Sequence, residues 1–458
     1  MRMLSLTFDA GTLVVRSDDG QPVELPGSFV FDPRIQAYRG PALEYRQLVS
    51  YLARHETYTY RDEARAYRKL ELPLQDTRTP FPHQSEALAA WQETGGRGVV
   101  VLPTGSGKTF VAELAIRKVG RSCLVVTPTI DLMQQWWRGL TERFGRPVGM
   151  IGGGSYEVDD LCVTTYDSAY LHMEHLGSRF GMLVFDEAHH LPSPSYALAA
   201  ESCVAPYRLG LTATPERADG DASLYEILIG PIVYNKPITE LAGTHLADYS
   251  LFQLEVPLEA DEAEAYVANR TLYTEFVRAQ GIRMSSAGGW QAFLRESSRS
   301  PEGRAAYQGY LAQKDIALTC RGKLSRLQEL LAEHRGERVI VFTNDNRTVY
   351  EISRRFLIPA LTHHTPGKER AHILAAFNDG RYPALATSRV LNEGVDIPAA
   401  SVGIVMSGTS SVREHVQRLG RILRQQGDKH ARLYELVAAD THEKFISTRR
   451  REHDAYRR

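Results

Sequence analysis

Eight consecutive residues, Leu102-Pro103-Thr104-Gly105-Ser106-Gly107-Lys108-Thr109, follow an apolar run and open a helical pattern. A phosphate-binding loop needs that context, because glycines let backbone N–H groups turn toward one centre and the helix start adds positive partial charge. Thr104, Gly105, Ser106 and Gly107 then form a cradle for a nucleoside triphosphate. Lys108 is placed to reach its β- and γ-phosphates, and the Thr109 hydroxyl to ligate Mg²⁺. Leu102 stands where the general G-x-x-x-x-G-K-[ST] pattern has its first glycine, which leaves the shorter form P-T-G-S-G-K-T. The competing reading, a plain glycine turn before a helix, has to explain eight fitting residues in a row.

Three further constellations suit the same chemistry. Val184-Phe185-Asp186-Glu187-Ala188-His189 ends an apolar run with adjacent carboxylates, and parallel sheets bind ligands at the carboxyl ends of their strands. Asp186 fits the Mg²⁺-holding role and Glu187 the orienting of an attacking water; standing alone, the pair would read as a solvated turn. In Gln417-Arg418-Leu419-Gly420-Arg421-Ile422-Leu423-Arg424, Arg421 and Arg424 share one helical face. Two guanidiniums there can stabilise transition-state charge on a γ-phosphate, the alternative being a basic surface helix. Gln84, about two dozen residues ahead of Lys108, carries the paired amide donor and acceptor that can read adenine, the alternative being a lone surface glutamine.

Such side chains need a frame, and the chain is long enough to supply one. At 458 residues it exceeds what a single core supports, and with 43% hydrophobic and 24% charged residues it has the composition of a globular protein. No apolar stretch approaches a membrane span, and the N-terminus MRMLSLTFDAGTLVV alternates apolar and polar residues, unlike a signal peptide; a cytoplasmic location is expected. Cys123, Cys162, Cys203 and Cys320 lie too far apart for the close pairs that zinc or iron–sulfur ligation uses. The net charge of −1 gives no global argument for a polyanionic partner. Basic residues do cluster locally: 412–458 holds twelve Lys or Arg against seven Asp or Glu.

The alternation over Leu4, Leu6, Phe8, Leu13 and Val15, broken by Asp-Ala-Gly, predicts a β-hairpin and a small α+β domain over 1–75, with a Pro-punctuated linker at 72–82. Short apolar runs at GVVVLP (98), CLVVTP (123), MLVFDE (182) and YRLGLTA (207), separated by helical segments, predict a parallel α/β lobe over 76–245. A second series, RVIVFT (338), ALATS (384), SVGIVMS (401) and RLYELV (432), predicts another lobe over 321–458 with a basic tail. Between them 246–320 reads as a helical insertion. Its Arg270, Arg278, Arg283, Arg295, Arg299 and Arg304 suit either a grip on nucleic acid or a solvated face. In the first domain, tyrosines 38, 45, 51, 58, 60 and 67 interleave with arginines 39, 46, 54, 61 and 65, a pattern for stacking on unpaired bases or for a half-buried core.

Together with TPTIDLMQQW at 127, VTTYDSAY at 163, LGLTATPER at 209, VLNEGVDIPAA at 390 and QRLGRILR at 417, these motifs resemble superfamily 2 helicases, and more closely the XPB family of DNA helicases in a short archaeal or bacterial form. The likeness covers nearly the whole chain. FDPRIQAYRGPALEYRQLVSYL at 31 is similar to the family's damage-recognition domain. The resemblance implies two RecA-like lobes and an ATP- and Mg²⁺-dependent motor that tracks DNA in the 3′ to 5′ direction. It implies that Thr129, Thr165, Arg217 and Thr387 touch DNA, that Thr212 and Thr214 couple nucleotide state to DNA grip, and that Gly394 and Asp396 line the nucleotide cleft. It further implies work on single-stranded, forked or damaged DNA in repair, as a monomer, with a nuclease as a possible partner. Two positions depart from the family: the Arg-Glu-Asp loop reads Arg217-Ala218-Asp219, and the arginine before the adenine-reading glutamine is Phe81. Two other readings stay open, a double-strand translocase that does not separate strands and an ATP-switched damage-binding scaffold. A small-molecule kinase is disfavoured by the second lobe.

Overall fold

The computed structural model describes residues 2–75, 77–214, 223–243, 245–286, 288–388, 400–406 and 430–444. Two compact units divide the chain, one taking in Met1–Glu240 and the other beginning at Leu241.

The first unit opens with the hairpin that the alternation predicts. β1 (Arg2–Asp9) pairs antiparallel with β2 (Thr12–Ser17), so Leu4, Leu6, Leu13 and Val15 are buried together. β3 (Val30–Asp32), β4 (Ala37–Pro41) and β5 (Tyr58–Glu63) complete a sheet of order β3-β4-β2-β1-β5, covered by helix α1 (Tyr45–Arg54). Leu48 and Leu52 of α1 fill this core, and Val204 from the following lobe enters it. The interleaved tyrosines therefore divide: Tyr45 is buried, while Tyr38, Tyr51, Tyr58, Tyr60 and Tyr67 are half-buried around the same core.

Among its described residues the segment after β5 has no helix or strand, as its prolines predict, but it is fastened to the lobe. Ala66 N–H donates to Ser178 O at 2.8 Å, Leu70 N–H to Gly120 O at 2.9 Å and Gln75 N–H to Arg143 O at 2.7 Å. Arg46 of α1 adds bonds to Gly95 O and Pro206 O at 2.8 and 3.2 Å.

An eight-stranded sheet forms the lobe itself, in the order β13-β6-β12-β11-β7-β10-β8-β9. Its strands are β6 (Arg97–Val101), β7 (Cys123–Thr127), β8 (Gly149–Gly152), β9 (Ser155–Tyr156), β10 (Leu161–Thr165), β11 (Met182–Asp186), β12 (Tyr207–Thr212) and β13 (Ile232–Asn235). All pair in parallel except β8 with β9. β7, β10 and β11 are buried at every position, as strands covered by helices on both faces must be. The four apolar runs become β6, β7, β11 and β12. The other four strands are short or polar at their ends and carry no comparable signal.

β12 also buries a full charge. Arg208 has no exposed surface, and its guanidinium donates to the carbonyls of Ala205, Ala200, Leu228 and Cys203 at 3.2, 2.9, 2.8 and 2.7 Å. Burial pulls it down to about 9, which still leaves it charged at neutral pH. Arg208→Leu strands four buried acceptors, and we expect it to cost about 3 kcal/mol or more of stability, read from the urea midpoint of unfolding.

In the second unit a parallel six-stranded sheet has the order β14-β19-β18-β15-β17-β16. The strands are β14 (Asp248–Val256), β15 (Val339–Phe342), β16 (Ala360–Leu361), β17 (Ala384–Thr387), β18 (Val402–Val405) and β19 (His430–Ala438). The second series of apolar runs thus becomes β15, β17, β18 and β19. β14 corrects the sequence reading, which places 246–256 in the helical insertion: it pairs along its whole length with β19. Its burial follows no simple alternation, because it is an edge strand with one neighbour. Helices Ala260–Ala279, Gly289–Ser297 and Pro301–Thr319 then form the expected helical segment, with Phe293 and Tyr310 each in ring contact with both Tyr273 and Trp290.

Candidate functional site

The phosphate-loop candidate joins β6 to helix α3 (Lys108–Val119), and its glycines do what the motif demands. Gly105 and Gly107 have φ of +88° and +84°, in the left-handed region that side chains resist. A Cβ on Gly107 would also stand 2.3 Å from Gln84 Nε2. Lys108 opens α3, and its ammonium donates to the carbonyls of Leu102 and Pro103 at 3.1 and 3.3 Å. Thr109 is exposed, while the Thr104 hydroxyl is buried and bonds to no described group.

Helix α2 (Pro82–Glu93) braces this loop. Gln84 reaches back to Phe81 N–H through Oε1 at 3.0 Å and donates Nε2 to Ser106 O at 3.0 Å; His83 Nε2 lies 2.9 Å from the same carbonyl. Only 3% of Gln84 is exposed, whereas Phe81 is 50% exposed and stacks on His83 with centroids 5.8 Å apart. The glutamine amide is therefore committed to the loop, and the accessible flat surface belongs to Phe81. An aromatic face holds any purine without reading its edge. We expect GTP to bind within about tenfold of ATP, with Phe81→Ala weakening both alike. Competition by each nucleotide for a fluorescent analogue measures this directly.

β11 delivers the carboxylates. Asp186 ends the strand with 7% of its surface exposed, and each carboxylate oxygen has one donor: Trp136 Nε1 at 2.7 Å on Oδ2, and Glu187 N–H at 3.0 Å on Oδ1. Tyr166 OH donates to the Asp186 carbonyl at 3.0 Å. Burial, then the charge of Glu187, push the Asp186 carboxyl up to about 6, while the indole and the Lys108 ammonium pull it back. Glu187 takes φ +47°, a left-handed conformation costing about 1–3 kcal/mol that persists only where neighbours enforce it. Its Oε2 is buried, accepts no hydrogen bond and lies 3.5 Å from His189 Nδ1. His189 Nδ1 is also 3.1 Å from Thr212 Oγ1, which donates to Thr214 O at 3.1 Å. One short chain of contacts thus joins Glu187 to Thr212 and Thr214.

Divalent-metal binding fits this donor set. A buried carboxylate acted on by the Lys108 ammonium, with the exposed Thr109 following that lysine, suits Mg²⁺, which keeps several waters and shares its shell with phosphate oxygens. Among the described residues no cluster of three or more His, Cys, Asp or Glu side chains could hold a metal alone. Since a protonated Asp186 gives up its ligand charge, the Mg²⁺ concentration for half-maximal turnover should rise as pH falls through about 6. The sign for folding is opposite: a carboxyl raised above its ordinary value favours the folded chain at low pH and loses that contribution as pH climbs through about 6. Turnover titrated with Mg²⁺ at several pH values checks the first statement.

Thr129 and Thr165 are helix N-caps. Thr129 Oγ1 accepts Leu132 N–H at the head of helix α4 (Ile130–Phe144), and Thr165 Oγ1 accepts Ser168 N–H at the head of helix α5 (Tyr166–Leu176). Their hydroxyls are engaged in capping, beside first-turn N–H groups that a helix leaves without internal partners. Thr387, at the end of β17, has no exposed surface and bonds to Ser388 O. The structure thus brings Lys108, Asp186 and Glu187 together but encloses the Thr387 hydroxyl. Arg217, Gly394, Asp396, Arg421 and Arg424 lie outside the described residues.

Comparisons with known families cover much of the chain. Residues 77–217 match the model for the res subunit of type III restriction enzymes, 322–426 the helicase conserved C-terminal domain, and 6–64 the damage recognition domain of the xeroderma pigmentosum group B helicase. The chain is 40% identical to the DNA 3′-5′ translocase XPB2 of Sulfurisphaera tokodaii, over 91% of its own length and 94% of that protein's. It belongs to the XPB family of helicases. A Kineococcus radiotolerans member, named DNA 3′-5′ helicase XPB, is 30% identical over 81% of this chain and 61% of its own. In fold, the chain is similar to Saccharomyces cerevisiae Dbp5 bound to RNA and ADP BeF3, with a TM-score of 0.57 at 16% identity, covering 82% of this chain and 88% of the other. The chain shares that fold, and residues 6–64 match the damage recognition domain in front of the lobes. Among the described residues no helix is long and apolar enough to cross a membrane.

Sequence reasoning missed Trp136, Tyr166 and His189. Met133, Trp136, Leu140 and Phe144 form the buried stripe of α4. A tryptophan on such a stripe carries an N–H that needs an acceptor, and this was the available signal.

Proposed function

We propose that the protein is an ATP-dependent DNA helicase that moves 3′ to 5′ and couples ATP hydrolysis to the opening of damaged or forked DNA. The observation that carries this is the buried Asp186–Glu187 pair beside a phosphate loop in a chain of the XPB family. Loop N–H groups and Lys108 hold the phosphates, Asp186 and Thr109 are the groups for Mg²⁺, and Glu187 Oε2 takes a proton from the attacking water. Bound Mg²⁺ would neutralise phosphate charge. Arg421 and Arg424 complete the charge on the γ-phosphate, and Arg217 and the starts of α4 and α5 follow the DNA backbone. Phosphate contacts without base reading suit a motor indifferent to sequence. The resemblance supports work in repair with a nuclease as partner, and we take the protein to act as a monomer in the cytoplasm.

A second reading is a double-strand translocase. It is favoured by Ala218, which replaces the family's loop glutamate, and by the word translocase in the name of the Sulfurisphaera relative. ATP turnover with single-stranded, duplex, forked and RNA ligands, run beside strand displacement on a forked duplex, separates the two. Stimulation by DNA with product strands supports the first, and stimulation without strands the second. No stimulation by any DNA would refute both.

A further inference from the structure

Two helices converge on one aspartate. α4 begins at its cap Thr129, and seven residues later Trp136, 3% exposed, places its indole N–H 2.7 Å from Asp186 Oδ2. α5 begins at its cap Thr165, and the next residue, Tyr166, 2% exposed, donates its hydroxyl to Asp186 O at 3.0 Å. The two helix starts are also tied together, because Thr127 Oγ1 lies 3.2 Å from Thr129 O and 3.1 Å from Thr164 O. A hydrogen bond to a buried carboxylate is short, directional and stronger than a neutral one. Close-packed interiors transmit small displacements instead of absorbing them. A shift at either helix start therefore reaches the aspartate through a rigid aromatic side chain.

We propose that Trp136 and Tyr166 are positioning residues that couple DNA at the starts of α4 and α5 to the metal-holding carboxylate of Asp186. Phosphates resting there hold both helices in the register that aims Asp186 at its cation. Without DNA the helices relax and the carboxylate is less well placed. This rests on the reading that DNA lies against Thr129 and Thr165. Because coupling between two binding sites is reciprocal, Mg·nucleotide must change DNA affinity by the same factor that DNA changes nucleotide affinity.

That reciprocity gives a test that does not depend on turnover. In the full chain, the dissociation constant of a fluorescent single-stranded oligonucleotide is measured with and without Mg·ADP–beryllium fluoride, alongside the fold-stimulation of ATP hydrolysis by the same DNA. Trp136→Phe should shrink both ratios by about fivefold or more, and Tyr166→Phe, which deletes one hydroxyl and is the gentler change, by about twofold. Trp137→Phe is the control. It loses the same N–H from the same helix, where Trp137 donates to Val148 O at 2.7 Å, and should leave both ratios as they are. Ratios unchanged in both Trp136→Phe and Tyr166→Phe overturn the proposal. Thr129→Asp tests the underlying placement separately, since aspartate still caps the helix but repels phosphate. Loss of DNA affinity in Thr129→Asp supports the placement, and retained affinity sinks placement and coupling together.

Discussion

Lys108→Ala should lower ATP turnover by about a thousandfold, roughly 4 kcal/mol of transition-state stabilisation, while the chain stays folded. The ammonium sits buried at the first position of α3, held by the carbonyls of Leu102 and Pro103 at the neck of the loop. In that low-dielectric setting a positive charge acts on phosphate far more strongly than in water. Gly105 and Gly107 fix the loop's path by their own backbone angles, so truncating the lysine should not collapse it. Each of the two carbonyls that lose a donor costs about 1 kcal/mol. Steady-state hydrolysis with a thermal melt on the same sample decides the matter. Unchanged turnover would remove Lys108 from the site.

Glu187→Gln should reduce kcat by about 10²–10⁴ while nucleotide binding survives or tightens. Glutamine keeps the shape but cannot take a proton from water. The charge of Glu187 is the second-largest influence holding Asp186 up, so removing it lets Asp186 ionise at lower pH and hold Mg²⁺ more firmly. The expected variant is a trap that binds Mg·ATP and does not release it as product. Single-turnover chemistry and nucleotide affinity measured together separate this from a simple loss of fold. Normal single-turnover rates would assign water activation to another group.

Much of the site was legible because it is local. A turn from strand to helix needs glycines and a lysine within one short segment, and Asp186-Glu187 ends a run of five buried strand residues. Both signals survive in one dimension. β14 was not legible, since an edge strand with a single partner lacks the unbroken apolar run of a buried one. Nor was the commitment of the Gln84 amide to Ser106 O, 22 residues away, because the partner is a backbone carbonyl that could belong to any residue.

The sequence alone determined the fold class, the glycine turn that opens a helix, the adjacent carboxylates at a strand end and the family, since each rests on residue types at short spacing. Only the tertiary structure decided what surrounds them. It set Trp136 and Tyr166 on Asp186, put His189 between Glu187 and Thr212, exposed Phe81 while enclosing Gln84, and buried Thr387. The physical reason is that a hydrogen-bond partner or a degree of burial depends on which elements the sheet order brings side by side. β7 lies beside β11 although β8, β9 and β10 come between them along the chain, and no local pattern encodes that adjacency.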